Sequence, residues 1–295
     1  MPSPQMSLDL PRPDGISPKV QAAIERLARH SEAGARGAIF TRQEVVEFIL
    51  DILGYTADRP LHTKRLLEPS FGGGDFLLPV IERLLRAWRA ARPQSGAVAA
   101  LGDAIRGVEL HQETFHRTQA AVIDLLQQAD LPAPSARALA ERWLSQGDFL
   151  LQPLAGEFDF VVGNPPYIRQ ELIPAPLLAE YRSRYQTMYD RADIYIPFIE
   201  RALSVLAGGG TLGFICADRW MKNRYGGPLR HLVAERFHLK VYVDMVDTPA
   251  FRSDVIAYPA ITLISRETPG ATRVAHRPAI DRPTLGALAD LLRAP

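Results

Sequence analysis

The 295-residue chain holds a single cysteine, Cys216, so no internal disulfide can staple it. That cysteine sits in an apolar, strand-like stretch and reads as a buried structural thiol. The seven histidines are scattered without metal-ligand spacing, and His111 and His116, five apart, do not share a helix face, so no metal site is expected. No apolar run approaches the roughly 20 residues of a membrane span. Residues 1–16 hold four prolines and no signal-peptide pattern, so the reading is a cytoplasmic protein with no membrane partner. No Gly-x-Ser-x-Gly elbow marks a serine hydrolase. A large charge of one sign is also missing: the net charge is +1, without the basic excess that often marks a nucleic-acid binder.

What is present is the composition of a globular domain, 47% hydrophobic and 23% charged, enough for one sizeable core. The charge is uneven, because six Lys or Arg residues fall between Arg219 and Lys240 against one acid, Glu235. That surplus suits either phosphates or a solvated helix face. Helical spacing is expected at 17–30, with Ser17 as N-cap and Pro18 in the first turn, and at 42–53 after Thr41. Further helices are expected at 76–91, 112–129, 135–144 and 194–206, alternating with strands at 65–69, 105–110, 143–147, 158–163, 211–216, 239–245 and 257–265. That alternation predicts a parallel sheet covered by helices on both faces.

Two segments carry chemistry. The first, Glu68-Pro69-Ser70-Phe71-Gly72-Gly73-Gly74-Asp75-Phe76, follows a strand and opens a helix. Glycines there let the backbone turn at positive φ and approach a ligand closely. No Gly-Lys-Ser/Thr follows, so it is not a Walker loop, and Leu77 stands where a full Gly-x-Gly-x-x-Gly has its third glycine. The second is Asn164-Pro165-Pro166-Tyr167, at the end of the apolar run 158–163. The lone pair of an aromatic amine is delocalised into its ring, and two acceptors on its N–H groups make the nitrogen more tetrahedral and more nucleophilic. The Asn164 side-chain oxygen supplies one acceptor. The Pro165 carbonyl supplies the other, its direction limited because Pro166 restricts the residue before it. Tyr167 offers a face on which a flat base stacks.

With these motifs the chain resembles the amino-methyltransferases that use S-adenosylmethionine, most closely the gamma-type DNA N6-adenine methyltransferases of restriction-modification and phage-defence systems. The resemblance spans 38–266. It implies an α/β, Rossmann-like class I methyltransferase fold with a seven-stranded, mostly parallel sheet. It also implies methyl transfer from S-adenosylmethionine to N6 of a flipped adenine in DNA, with Asn164, Pro165, Pro166 and Tyr167 catalytic. Glu68, Phe71, Gly72 and Gly74 would hold the amino-acid part of the cofactor, although the family usually has Asp where Glu68 stands. Glu109 would take the ribose hydroxyls, Asp148 the adenine amine, and Phe149 would pack on the adenine ring. Thr41 corresponds to a cofactor-contacting threonine, and Phe251 to an aromatic that faces Tyr167 across the base. Methylation of a protein glutamine or an RNA amine uses the same motif, and a non-catalytic module that binds cofactor or DNA is the alternative outside enzymes. Residues 1–37 read as leader and helix, and 267–295 as a linker toward a deleted target-recognition domain or a separate specificity subunit.

Overall fold

The computed structural model describes residues 15–29, 39–91, 95–252 and 258–293. The leader at 1–14, the last residue of the first expected helix at 30 and the start of the last expected strand at 257 lie outside the described residues. Helix α1, Pro18–Ala28, starts where the sequence indicates: the Ser17 hydroxyl accepts the Val20 N–H at 3.4 Å, and Val20, Ala23, Ile24 and Leu27 form its buried stripe. Helix α2, Gln43–Leu53, ends on Gly54 at φ +77°, a left-handed cap that glycine adopts without a Cβ penalty.

The first five strands and the helices between them build the first part of the sheet. Strand β1, Leu66–Glu68, leads into α3, Leu77–Ala90, and a short α4, Ala97–Leu101. Strand β2, Ile105–Glu109, is followed by α5, Gln112–Gln128, and α6, Ala133–Trp143, which runs straight into β3, Leu144–Gln146. Strand β4 is Phe158–Gly163. Helices α7, Ala175–Arg184, and α8, Tyr195–Ser204, then lead to β5, Leu206–Ala217. After a short α9, Arg219–Lys222, and α10, Gly227–Arg236, come β6, His238–Asp244, β7, Pro259–Ser265, β8, Arg273–His276, and α11, Arg282–Arg293.

The strands form one sheet in the order β3-β2-β1-β4-β5-β7-β6-β8. All neighbours are parallel except β7, which is antiparallel to both β5 and β6. Successive strand residues face opposite sides, so Leu66 joins the core under α2 and α3, whereas Leu67 joins the core under α7 and α8. Strand β1 has β2 on one side and β4 on the other, so the crevice beyond the carboxyl ends of β1 and β4 is the switch point at which open α/β sheets bind ligands.

The sheet has eight strands where seven were expected. The extra one, β8, is short, with Arg273, Val274 and His276 exposed, and therefore has little of the hydrophobic signature by which strands are read. Residues after Arg266, read as a linker, carry β8 on the edge of β6 and α11 seated on α2, with Leu285, Ala289 and Leu292 buried in the main core. Strand β3 begins one residue later than expected because α6 continues through Trp143, whose indole N–H donates to the Leu101 carbonyl at 2.8 Å. Cys216 is buried, its thiol pushed up to about 12 by desolvation. Replacing Leu285 by Ala is expected to lower stability by about 2–5 kcal/mol, measured by urea unfolding; an unchanged midpoint would mean that α11 is not part of the cooperative core.

Candidate active site

The loop from β1 to α3 is built for close approach. Phe71 N–H donates to the Val108 carbonyl at 3.0 Å, Gly74 N–H closes a turn on the Phe71 carbonyl at 2.8 Å, and the Thr118 hydroxyl from α5 holds the Gly72 carbonyl at 2.7 Å. Gly72 and Gly74 have φ +49° and +88°, which L side chains rarely adopt. A Cβ on Gly73 would come within 3.1 Å of the Phe40 ring.

Carboxyl groups surround this loop. Glu109, buried at the end of β2, accepts the Gly72 N–H on Oε2 and the His111 N–H on Oε1, both at 2.8 Å. Glu68 is 1% exposed, and its Oε2 has no hydrogen-bond partner among the described residues. Burial, with Asp75 and Glu109 nearby, holds the Glu68 carboxyl well above the usual range. Asp75 is also raised by burial, opposed by Arg252. A cationic ligand would favour the charged form of these carboxyls, which burial disfavours. Asp148, just beyond β3, accepts the Leu150 N–H at 2.8 Å and the Tyr181 hydroxyl at 2.5 Å. Burial raises its carboxyl against the pull of these two bonds and of Arg201 and Arg184. Phe149 is buried beside it, with Phe198 at 5.0 Å and the Arg201 guanidinium over its ring at 5.1 Å.

Asn164 leaves β4 toward the same space. Its Nδ2 donates to the Ile39 carbonyl at 2.9 Å and to Thr41 Oγ1 at 3.3 Å. Those two acceptors identify the nitrogen, because an amide oxygen turned toward the Ile39 carbonyl would find no donor. Asn164 Oδ1 is therefore the atom left over, and it is buried without a partner among the described residues. Thr41 does not cap α2: Arg42 holds the N-cap position without a side-chain bond, and the Thr41 hydroxyl faces Asn164 instead.

One cleft gathers most of the expected residues: Thr41, Glu68, Phe71 and Gly72 on one side, Glu109, Asp148 and Phe149 along the sheet edge, and Asn164 with Pro166 at its end. Gly74, Pro165, Tyr167 and Phe251 are not part of its wall. Tyr167 and Phe251 are in contact, ring centroids 6.5 Å apart and planes at 80°, an edge-to-face pair with no parallel slot between the rings. Sequence reasoning missed Tyr181, Phe40 and the part played by Asp75. Asp75 stood in the quoted glycine segment, but Tyr181 meets Asp148 from a helix 33 residues away and carries no local signal. Among the described residues, no group of three His, Cys, Asp or Glu residues could hold a metal ion.

Residues 108–251 match the model of the Eco57I restriction-modification methylase family. The chain is 76% identical over 276 residues to the type II methyltransferase M.PaeR7I of Pseudomonas aeruginosa, covering 94% of this chain and 48% of that protein. Over residues 108–251 the chain therefore carries the methylase segment of the Eco57I restriction-modification family. It is also 56% identical over 259 residues to the type II methyltransferase M.XhoI of Xanthomonas vasicola, covering 86% of this chain and 47% of that protein. The chain thus spans about half the length of these curated relatives. In fold it is similar to a class I S-adenosylmethionine-dependent methyltransferase structure from Listeria monocytogenes, with a TM-score of 0.61 and 12% identity over 92% of this chain and 76% of that one. The fold is the class I methyltransferase fold.

The raised Glu68 carboxyl has a measurable consequence. The folded protein keeps this proton to higher pH than the unfolded chain does, so its contribution to stability falls as pH rises from the ordinary glutamate range through the raised folded value. Replacing Glu68 by Gln is expected to raise the melting temperature of the ligand-free protein more at pH 8 than at pH 5; a larger gain at pH 5 would contradict the assignment.

Proposed function

We propose that this chain is the catalytic domain of a cytoplasmic DNA methyltransferase that transfers the methyl group of S-adenosylmethionine to N6 of adenine. The observation that carries the reading is the orphaned, buried Asn164 Oδ1 at the end of a cleft lined by carboxyls and glycines. A buried acceptor without a donor costs about 1–3 kcal/mol, and an N–H of the acceptor amine would offset that cost. Asn164 Oδ1 and the Pro165 carbonyl would each accept one N–H, drawing the nitrogen lone pair out of conjugation with the ring. No general base is needed before attack.

The cleft residues fit the cofactor. Glu68 and the glycine turn suit a cationic amino-acid moiety, Glu109 a pair of ribose hydroxyls, and Asp148 with Phe149 an adenine ring carrying an amine. When bound, S-adenosylmethionine supplies an electrophilic methyl group on a sulfonium. The chain's own residues then hold the acceptor amine at Asn164, exclude water by burial, and present Tyr167 for stacking. Because the acceptor oxygen is buried, a base inside a duplex cannot reach it, and the adenine must be flipped at a cost of a few kcal/mol. For a base to lie between Tyr167 and Phe251, one ring must turn from the edge-to-face pair.

The basic run supports DNA as substrate. Topology divides it: Arg219, Lys222 and Arg224 are exposed just beyond the carboxyl end of β5, whose Phe214 pairs with Gly163 beside Asn164. Arg236 and Lys240 lie near the start of β6, at the opposite edge, since β5 and β6 both run antiparallel to β7. The relatives extend well beyond the matched half, and we place target recognition in a further domain or partner chain.

With DNA and radiolabelled S-adenosylmethionine, Asn164→Ala is expected to reduce incorporation by at least about 100-fold, with N6-methyladenine as the wild-type product by nucleoside mass spectrometry. Wild-type incorporation by the variant, or a different methylated product, would discard the reading. The paired variant Arg219→Ala/Arg224→Ala is expected to reduce the slope of log DNA affinity against log salt by about 1–2, whereas Arg236→Ala/Lys240→Ala leaves it unchanged; equal effects from the two pairs would place the duplex elsewhere.

A further inference from the structure

An unbroken chain of hydrogen bonds joins the glycine loop to Asn164. Asp75, next to the third glycine, accepts the Thr41 N–H on Oδ2 at 2.9 Å and faces the Arg252 guanidinium through Oδ1 at 3.1 Å. Thr41 is 1% exposed and presents its hydroxyl oxygen to Asn164 Nδ2 at 3.3 Å. The segment around Thr41 is itself clamped to the chain leading into Phe251. Arg42 N–H donates to the Ala250 carbonyl at 3.1 Å, Arg252 N–H donates to the Phe40 carbonyl at 2.9 Å, and Thr41 bridges Phe251.

An amide held by the Ile39 carbonyl alone can still swing about its Cβ–Cγ bond. A second acceptor on the other Nδ2 hydrogen fixes the amide plane and therefore the direction of Oδ1. The Thr41 hydroxyl can serve as that acceptor only if its backbone is in place, and Asp75 holds the backbone. We propose that Thr41 and Asp75 are positioning residues for Asn164, so that the loop seating the methyl donor also aims the amine acceptor. This rests on the reading of Asn164 as the amine-binding group. It gives Thr41 a role other than the cofactor contact implied by the resemblance: its oxygen acts on the acceptor side of the cleft.

Thr41→Val keeps the shape of the side chain and removes the acceptor. Single-turnover methylation at saturating DNA and S-adenosylmethionine is expected to slow about 3- to 10-fold, while the Kd for S-adenosylmethionine measured by calorimetry stays within about twofold. Thr41→Ser is expected to restore the rate to within about twofold, since it restores the oxygen. Asp75→Asn combined with Thr41→Val is expected to be no slower than the slower single variant, because both act through one amide. An unchanged rate in Thr41→Val, a raised Kd with a normal saturated rate, failure of serine to rescue, or multiplicative effects in the double variant would each overturn the proposal. If valine prevents folding, Thr41→Ala is measured with the same rate and Kd split. Wild-type activity in Asn164→Ala would instead remove the underlying reading, whatever the Thr41 variants show.

Discussion

Both hydrogens of Asn164 Nδ2 are committed to the Ile39 carbonyl and the Thr41 hydroxyl, which leaves the amide oxygen buried with no donor among the described residues. A free asparagine side chain would turn to satisfy that oxygen, so the arrangement persists only because the surrounding chain over-determines it. Strand β4 delivers the residue, and the two prolines after it prevent the strand from continuing. The segment at 39–42, held between Asp75 and the chain at 250–252, supplies the acceptors. Three stretches distant in sequence therefore converge on one amide.

The electrostatics of the cleft complement this. Glu68, Asp75 and Asp148 are all raised by burial, and Glu68 keeps an oxygen unpaired. Such groups weaken the ligand-free fold at neutral pH and are the kind of cost that a binding site carries. Under the proposed function the cofactor brings positive charge to the acidic side of the cleft and an amine arrives at the other end, so each end lacks what its ligand supplies. The two ends are joined by β1 and β4, adjacent strands at the point where the sheet order reverses.

Much of this was legible in the chain itself. Alternating strand and helix patterns located the parallel sheet, since apolar periodicity changes from 2 to 3.6 residues at each boundary. The glycine turn and Asn164-Pro165-Pro166-Tyr167 announced themselves because their chemistry is local: positive φ, fixed φ and a planar amide belong to contiguous residues. Strand β8 was missed because an edge strand with little burial has no alternation to read. The residues after Arg266 looked like a linker because prolines and glycines come first, and the brief apolar helical pattern that follows gave no sign that α11 buries Leu285 and Leu292 against the core.

The amino-acid sequence by itself determined the layered α/β architecture, the glycine-lined turn and the presence of an amide followed by two prolines, because each depends on interactions within a few residues. Only the tertiary structure decided which atom of Asn164 is free, that Thr41 faces the amide instead of capping α2, that Tyr181 reaches Asp148 from a distant helix, and that the basic run is split between opposite edges of the sheet. Those outcomes depend on which far-apart segments meet, and a hydrogen bond across 123 residues leaves no trace in the local pattern of either end.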